Sequence, residues 1–364
     1  MLFTPFNLSS LQLKNRIAVA PMTRTSATPS GIVTEQMIQY YSTFAEGGFS
    51  LIIVEGTFID ESYSQGYENQ PGIANIEQME AWAKLVRAVH SQGAMIIAQL
   101  MHAGALTQGN RFRQDTIAPS SVQPRGEQLT IYRGEGRYPL PREITRMEME
   151  DIKDGFAKSA RLAVEAGFDG IELHGANGYL LDEFLTDYTN TRTDEYGGRV
   201  ENRVRYLAEV LQTVRNTVAG HCPVGIRISQ GKVNDGKHKW AGGEADARII
   251  FHTLAESNAD FIHVTEYDAL SPAFGQGKTF AALAKEYSGL PIIANGGLET
   301  PVLATTLLES GQADIISLGK GALANMDWPK RVASGQALMD FDSLMLQPLA
   351  TLQNAANWRL TAET

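Results

Sequence analysis

Between Asn15 and about Ala333, short apolar runs alternate with segments whose apolar residues recur every three or four positions. The runs predict strands at Arg16–Pro21, Phe49–Glu55, Ala94–Leu100, Gly167–Leu173, Pro223–Ile228, Asp260–Thr265, Pro291–Ala294 and Asp314–Leu318. Most are continuous Val, Ile, Leu and Ala, the pattern of parallel strands buried on both faces. Ile76–His90, Met147–Glu165, Val200–Thr217 and Ala245–Glu256 read as amphipathic helices, and Thr300 as the N-cap of a helix reaching Glu309. Repeated βα units in one chain predict an α/β fold, a (β/α)8 TIM barrel, as a single domain over residues 1–364. An open doubly wound sheet is the weaker alternative, because no GxGxxG follows the first strand.

Two connections exceed simple barrel loops. Residues 105–145, after the third strand, are rich in Gly, Pro, Arg and Gln and are expected to form a capping insertion. Residues 230–243 are shorter and polar, with Trp240 near their end. Both are expected over the mouth of the barrel. Leu344–Leu352 predicts a last helix, packed outside it.

Composition narrows the function. A net charge of −10 disfavours nucleic acid and anionic membranes as partners. The only cysteine, Cys222, precludes an internal disulfide, a CxxC zinc site or an iron–sulfur cluster, and makes a reducing, cytoplasmic setting the expectation. The N-terminus lacks a basic segment followed by an apolar one, and no apolar run reaches membrane-spanning length. No metal is expected, and the partners expected are small molecules, with a monomer or homo-oligomer left open.

In such a barrel, chemistry sits at the C-terminal strand ends. Strand four delivers His174, Asn177 and Tyr179 within six residues, just past the expected strand end. An imidazole, an amide and a phenol so placed can hold a polarised carbonyl and give a proton to its neighbour. Arg227 lies inside the apolar strand Val224–Ile228, where a charge is costly unless paired. Gly296-Gly297 after strand seven and Gly319-Lys320-Gly321 after strand eight match the phosphate site that many barrels build there.

The motif HxxNxY at His174, Asn177 and Tyr179, followed by N-x-R-x-D-x-Y-G-G-x-x-x-N-R from Asn190 to Arg203, resembles the old yellow enzyme family of flavin-dependent ene-reductases. The family has Ser at Arg199, Arg at Lys320, and Arg at Ala105 within a HAGR motif. The resemblance implies non-covalent FMN with NAD(P)H, NADH or NADPH, as reductant. It implies Arg227 near flavin N1/O2, Gln99 on the pyrimidine edge, Thr23 near O4, and Pro21, Met22 and Gly56 against the ring or ribityl chain. Asn295, Gly296, Gly297, Gly319 and Lys320 would complete the cofactor site. His174 and Asn177 would hold the activating oxygen of an α,β-unsaturated carbonyl or nitro compound, and Tyr179 would protonate the α-carbon. Met101 and Tyr67 would face the substrate, with Tyr267 and Trp240 as further candidates. The competing readings are a phosphate-binding TIM-barrel lyase or isomerase without flavin, and a flavin-binding barrel without catalysis.

Overall fold

The computed structural model describes residues 1–362. Eight parallel strands form the barrel: β1 (Ile17–Val19), β2 (Leu51–Ile53), β3 (Met95–Met101), β4 (Gly170–Asn177), β5 (Val224–Lys232), β6 (Phe261–Thr265), β7 (Ile292–Asn295) and β8 (Ile315–Leu318). Each pairs with the next, β8 pairs with β1, and the ring is closed. Every expected strand is present. The helices around it are α1 (Glu35–Glu46), α2 (Ile76–Ser91), α3 (Arg146–Ala166), α4 (Arg205–Val218), α5 (Glu244–Glu256), α6 (Phe280–Ser288), α7 (Pro301–Glu309) and a short α8 (Trp328–Ala333). Side-chain caps set several of their starts: Thr34 for α1, Asn75 for α2, Thr300 for α7, and a reciprocal Thr145–Glu148 box for α3.

The barrel interior changes character along its axis. At the N-terminal end a hairpin, Phe6–Leu8 paired with Leu11–Leu13, plugs the opening. Its leucines pack with Leu51, Ile53, Ile97, Phe261, Ile293 and Ile315. Gly225 makes room here, since a Cβ on it would come within 2.4 Å of the Phe261 ring. Two residues further along each strand, alternation brings polar side chains inward: Gln99 after Ile97, His263 after Phe261, Ser317 after Ile315. The apolar end supplies the closed core, and the C-terminal end supplies the chemistry.

Three expectations shift. β4 starts at Gly170 because Gly167 ends α3 in the left-handed region, at φ 92°. β5 continues to Lys232 rather than stopping at Ile228, with an irregularity in its pairing to β4. The helix expected at Leu344–Leu352 is instead a 3-10 turn at Ser343–Leu346 and a helix at Leu352–Ala362. Pro348 separates them, because proline disfavours helix at the residue before it and lacks a donor. Among the described residues no helix is long and apolar enough to cross a membrane.

Candidate active site

A cavity of about 420 Å³ opens at the C-terminal end of the barrel. Its lining brings together Pro21, Met22 and Thr23 after β1, Gly56 after β2, Gln99 and Met101 on β3, His174, Asn177 and Tyr179, Arg227 on β5, and Gly319 and Lys320 after β8. These residues span some 300 positions of sequence and meet only because the sheet closes.

His174 and Asn177 are on β4 itself, which extends further than its apolar run because its backbone keeps pairing with β5. His174 lies in register beside Arg227. Asn177 sits at the strand's last position with φ 64°, and its N–H donates to Ser229 Oγ at 2.8 Å. That left-handed residue, followed by Gly178 at φ 90°, turns the chain so that Tyr179 begins the short helix Leu180–Leu185. The Tyr179 ring meets the His174 ring edge-on at 4.9 Å.

Tyr67 does not face the cavity. It is fully buried behind Tyr179, with its hydroxyl 2.6 Å from the Tyr179 hydroxyl. Asn295 likewise turns inward: its Oδ1 accepts from Arg227 at 3.1 Å and from Thr265 at 2.8 Å. Gly296 and Gly297 end β7 at φ 130° and 63°, outside the cavity lining. Gly296 is demanded by backbone contact, since a Cβ there would lie 2.1 Å from Glu266 O. Tyr267 is 92 % exposed, and Trp240 packs edge-on and tilted against Phe280 and Phe251 away from the cavity. Arg192 of the long loop pairs with Asp194, and Arg203 donates to Leu185 O.

Sequence reasoning missed the wall. Leu129, Ile131 and Tyr132 reach the cavity from the insertion, Val233 from the loop after β5, and Phe341 and Leu346 from the C-terminal segment. Arg24, 1 % exposed, ties that segment down by donating to Ala350 O and Thr351 O, both at 3.1 Å. Ala350 N–H donates in turn to Ile131 O at 2.9 Å. The C-terminal segment therefore helps wall the site instead of packing outside the barrel. The one available signal was an apolar cluster, Leu129 to Tyr132, inside an otherwise polar insertion. On the β1 side, buried Glu55 accepts from Arg24 N–H at 2.8 Å and from the Tyr41 hydroxyl at 3.2 Å, anchoring the chain just after Thr23.

Burial sets the protonation states. It holds the His174 imidazole well below its usual range, helped by the Arg227 charge, so the ring is neutral. Burial lowers Arg227 to about 10, which leaves it charged at neutral pH, with Glu172 acting the other way. Burial raises the Tyr179 phenol, with the Tyr67 hydrogen bond opposing the shift, so it carries its proton. His102 is lowered to about 4 by burial, and its Nδ1 accepts from Gly104 N–H at 3.1 Å within the turn after β3.

Two buried polar atoms in this cavity, His174 Nδ1 and Arg227 Nε, have no hydrogen-bond partner. Unpaired buried groups of this kind cost about 1–3 kcal/mol each, which a bound ligand recovers. A guanidinium beside an amide fits the polar edge of an isoalloxazine. Gly56 keeps the approach flat, since a Cβ there would meet Met101 Sδ at 2.4 Å. At Gly319 the nearest atom to a Cβ would be Met22 Sδ at 3.7 Å, so backbone faces open space beside Lys320. The residues present fit FMN.

A family profile described as the NADH:flavin oxidoreductase / NADH oxidase family matches residues 1–339. The chain is 33 % identical over 345 residues to an NADH oxidase of Thermoanaerobacter brockii, covering 92 % of this chain but only 51 % of that protein, so it spans about half of that relative's length. It is 35 % identical over 345 residues to a probable flavin mononucleotide-dependent alkene reductase of Leishmania infantum, covering 93 % and 92 % of the two chains. The structure of an old yellow enzyme homologue from Zymomonas mobilis superposes with a TM-score of 0.85 at 34 % identity, covering 93 % of this chain and 94 % of that one.

Proposed function

The chain belongs to the NADH:flavin oxidoreductase / NADH oxidase family, that of the old yellow enzymes, and from that premise we propose that it is an FMN-dependent ene-reductase. NADH or NADPH enters first and leaves; an α,β-unsaturated carbonyl or nitro compound then takes the same site. When bound, FMN would supply the redox chemistry, the carriage of a hydride between the nicotinamide and the activated alkene.

The protein's own residues do the rest. Arg227 and Gln99 would hold the polar edge of the ring, Thr23, Pro21, Met22 and Gly56 would line it, and Gly319 and Lys320 would take the phosphate end. Asn295 positions Arg227. His174, neutral, and Asn177 each offer an N–H to the activating oxygen, where negative charge grows during reduction. Tyr179 gives its proton to the α-carbon. With the Tyr67 hydroxyl as donor in its 2.6 Å contact with the Tyr179 oxygen, the Tyr179 proton is free to point into the cavity, and the same contact steadies the phenolate left afterwards. Met101 and the loop residues shape the pocket, and residues 105–145 serve as its cap. A reducing cytoplasm suits a chain whose only cysteine, Cys222, is buried and free.

The observation that carries this reading is the convergence of a protonated phenol, a neutral imidazole and an amide on one cavity that is also lined by the buried Arg227 and Gln99. The matched family and its alkene-reductase relative favour this reading over a flavin-free lyase or isomerase. The test is an anaerobic absorbance titration. A flavin spectrum that bleaches with NADH or NADPH and returns with 2-cyclohexenone is expected. A protein that takes up no FMN contradicts the proposal.

A further inference from the structure

Beneath the cavity, four polar side chains cross the barrel in a row. Gln99 Nε2 donates to Glu172 Oε1 at 2.7 Å, His263 Nδ1 lies 2.8 Å from Glu172 Oε2, and His263 Nε2 lies 2.8 Å from Ser317 Oγ. They come from β3, β4, β6 and β8, and none is more than 1 % exposed. Barrel interiors are filled mostly by branched apolar side chains. Polar groups this deep cost several kcal/mol unless they are paired. The reaction described above uses Gln99 but gives no task to Glu172, His263 or Ser317.

The row has a direction. Glu172 Oε1 can only accept, wherever the proton between Glu172 Oε2 and His263 Nδ1 resides. The Gln99 group facing it must therefore be the NH2, and the Gln99 carbonyl oxygen must point the other way. Gln99 Oε1 is indeed on the cavity side, 3.5 Å from where a Cβ on Gly56 would stand. Ser317 and His263 hold the carboxylate from beneath, so the amide is left no second orientation of equal energy.

We propose that Glu172, backed by His263 and Ser317, is a positioning residue that fixes the Gln99 amide with its carbonyl oxygen toward the cavity. The site then offers an acceptor at Gln99 beside the donors of Arg227. That is the complement of an imide N–H next to a carbonyl, the pattern of flavin N3–H and C2=O. The inference rests on the flavin reading of the cavity and deepens it.

The test is proton NMR of the holoenzyme loaded with 15N-labelled FMN, following the N3–H signal. Wild type is expected to show a downfield N3–H in slow exchange with water. Glu172→Gln preserves shape but can donate as well as accept, so the Gln99 amide is free to turn. In that variant N3–H exchange should rise at least about 10-fold, the signal should move upfield, and FMN affinity should fall by roughly 10-fold. Ser317→Ala should raise the exchange by about 3-fold, and it carries the test alone if Glu172→Gln does not fold. Bound FMN with unchanged N3–H shift and exchange in these variants overturns the proposal while leaving the flavin site standing. Wild-type protein that binds no FMN overturns the flavin reading and this inference with it.

Discussion

The floor and the wall of the cavity are built on different principles. The floor (Gln99, His174 and Arg227) is carried on strands, and its side chains are no more than 5 % exposed. Its orientation comes from partners inside the barrel, such as Asn295 for Arg227 and Glu172 for Gln99. The wall (Leu129, Ile131, Tyr132, Val233, Phe341 and Leu346) comes from loops and the C-terminal segment, and it is apolar apart from the Tyr132 hydroxyl. Only a few backbone contacts join its pieces, such as Ala350 to Ile131. Chemistry that needs angles fixed to a fraction of an ångström is thus placed on the rigid element, and shape selection is left to the adjustable one.

That division can be broken by mutation. Arg227→Ala removes the floor's cation and one of the two donors to Asn295 Oδ1, so FMN affinity should fall at least about 100-fold, measured by fluorescence titration of the apoprotein; a smaller loss than about 5-fold would take Arg227 off the flavin. Tyr67→Phe removes one hydroxyl behind Tyr179. It should slow alkene reduction by roughly 10-fold while flavin reduction by NADPH stays within about 2-fold, as read by stopped-flow absorbance. Tyr132→Ala alters only the wall. KM for 2-cyclohexenone should rise by about 3- to 5-fold with FMN affinity unchanged, and a loss of FMN would show that the wall is not separable from the floor.

The effect furthest from the chemistry concerns the anchor beneath the β1 end. Burial raises Glu55 from 4.5 to about 7. The unfolded chain releases this proton first, so the group's contribution is fully present below about pH 4.5 and is lost as pH rises through about 7. Glu55→Gln should flatten the stability profile across that window by on the order of 2 kcal/mol, checked by urea unfolding at pH 4.5 and 7.5.

The same division explains what the sequence could tell. Strand-borne residues are legible because each strand is an apolar run of recognisable length, and a polar residue within it, such as Arg227, stands out against its neighbours. The end of β4 is not legible in the sequence because Gly175 and Asn177 pair through their backbone, which leaves no trace in side-chain hydrophobicity. The place of Tyr67 in the chain puts it near the mouth, but whether its side chain faces the cavity or stands behind Tyr179 depends on packing that no periodicity encodes. The wall was least legible. Leu129 to Tyr132 has no repeat to mark it, and Arg24 reaches across more than 300 positions to hold Ala350.

The central claim is that the Tyr179 phenol serves alkene reduction and not reduction of the flavin. Stopped-flow measurement of both half-reactions in Tyr179→Phe tests it most directly. The account predicts flavin reduction by NADPH within about 2-fold of wild type and reoxidation by 2-cyclohexenone slowed by roughly 10²- to 10⁴-fold, the range for loss of a general acid. Equal slowing of both half-reactions, or no slowing of either, would contradict it.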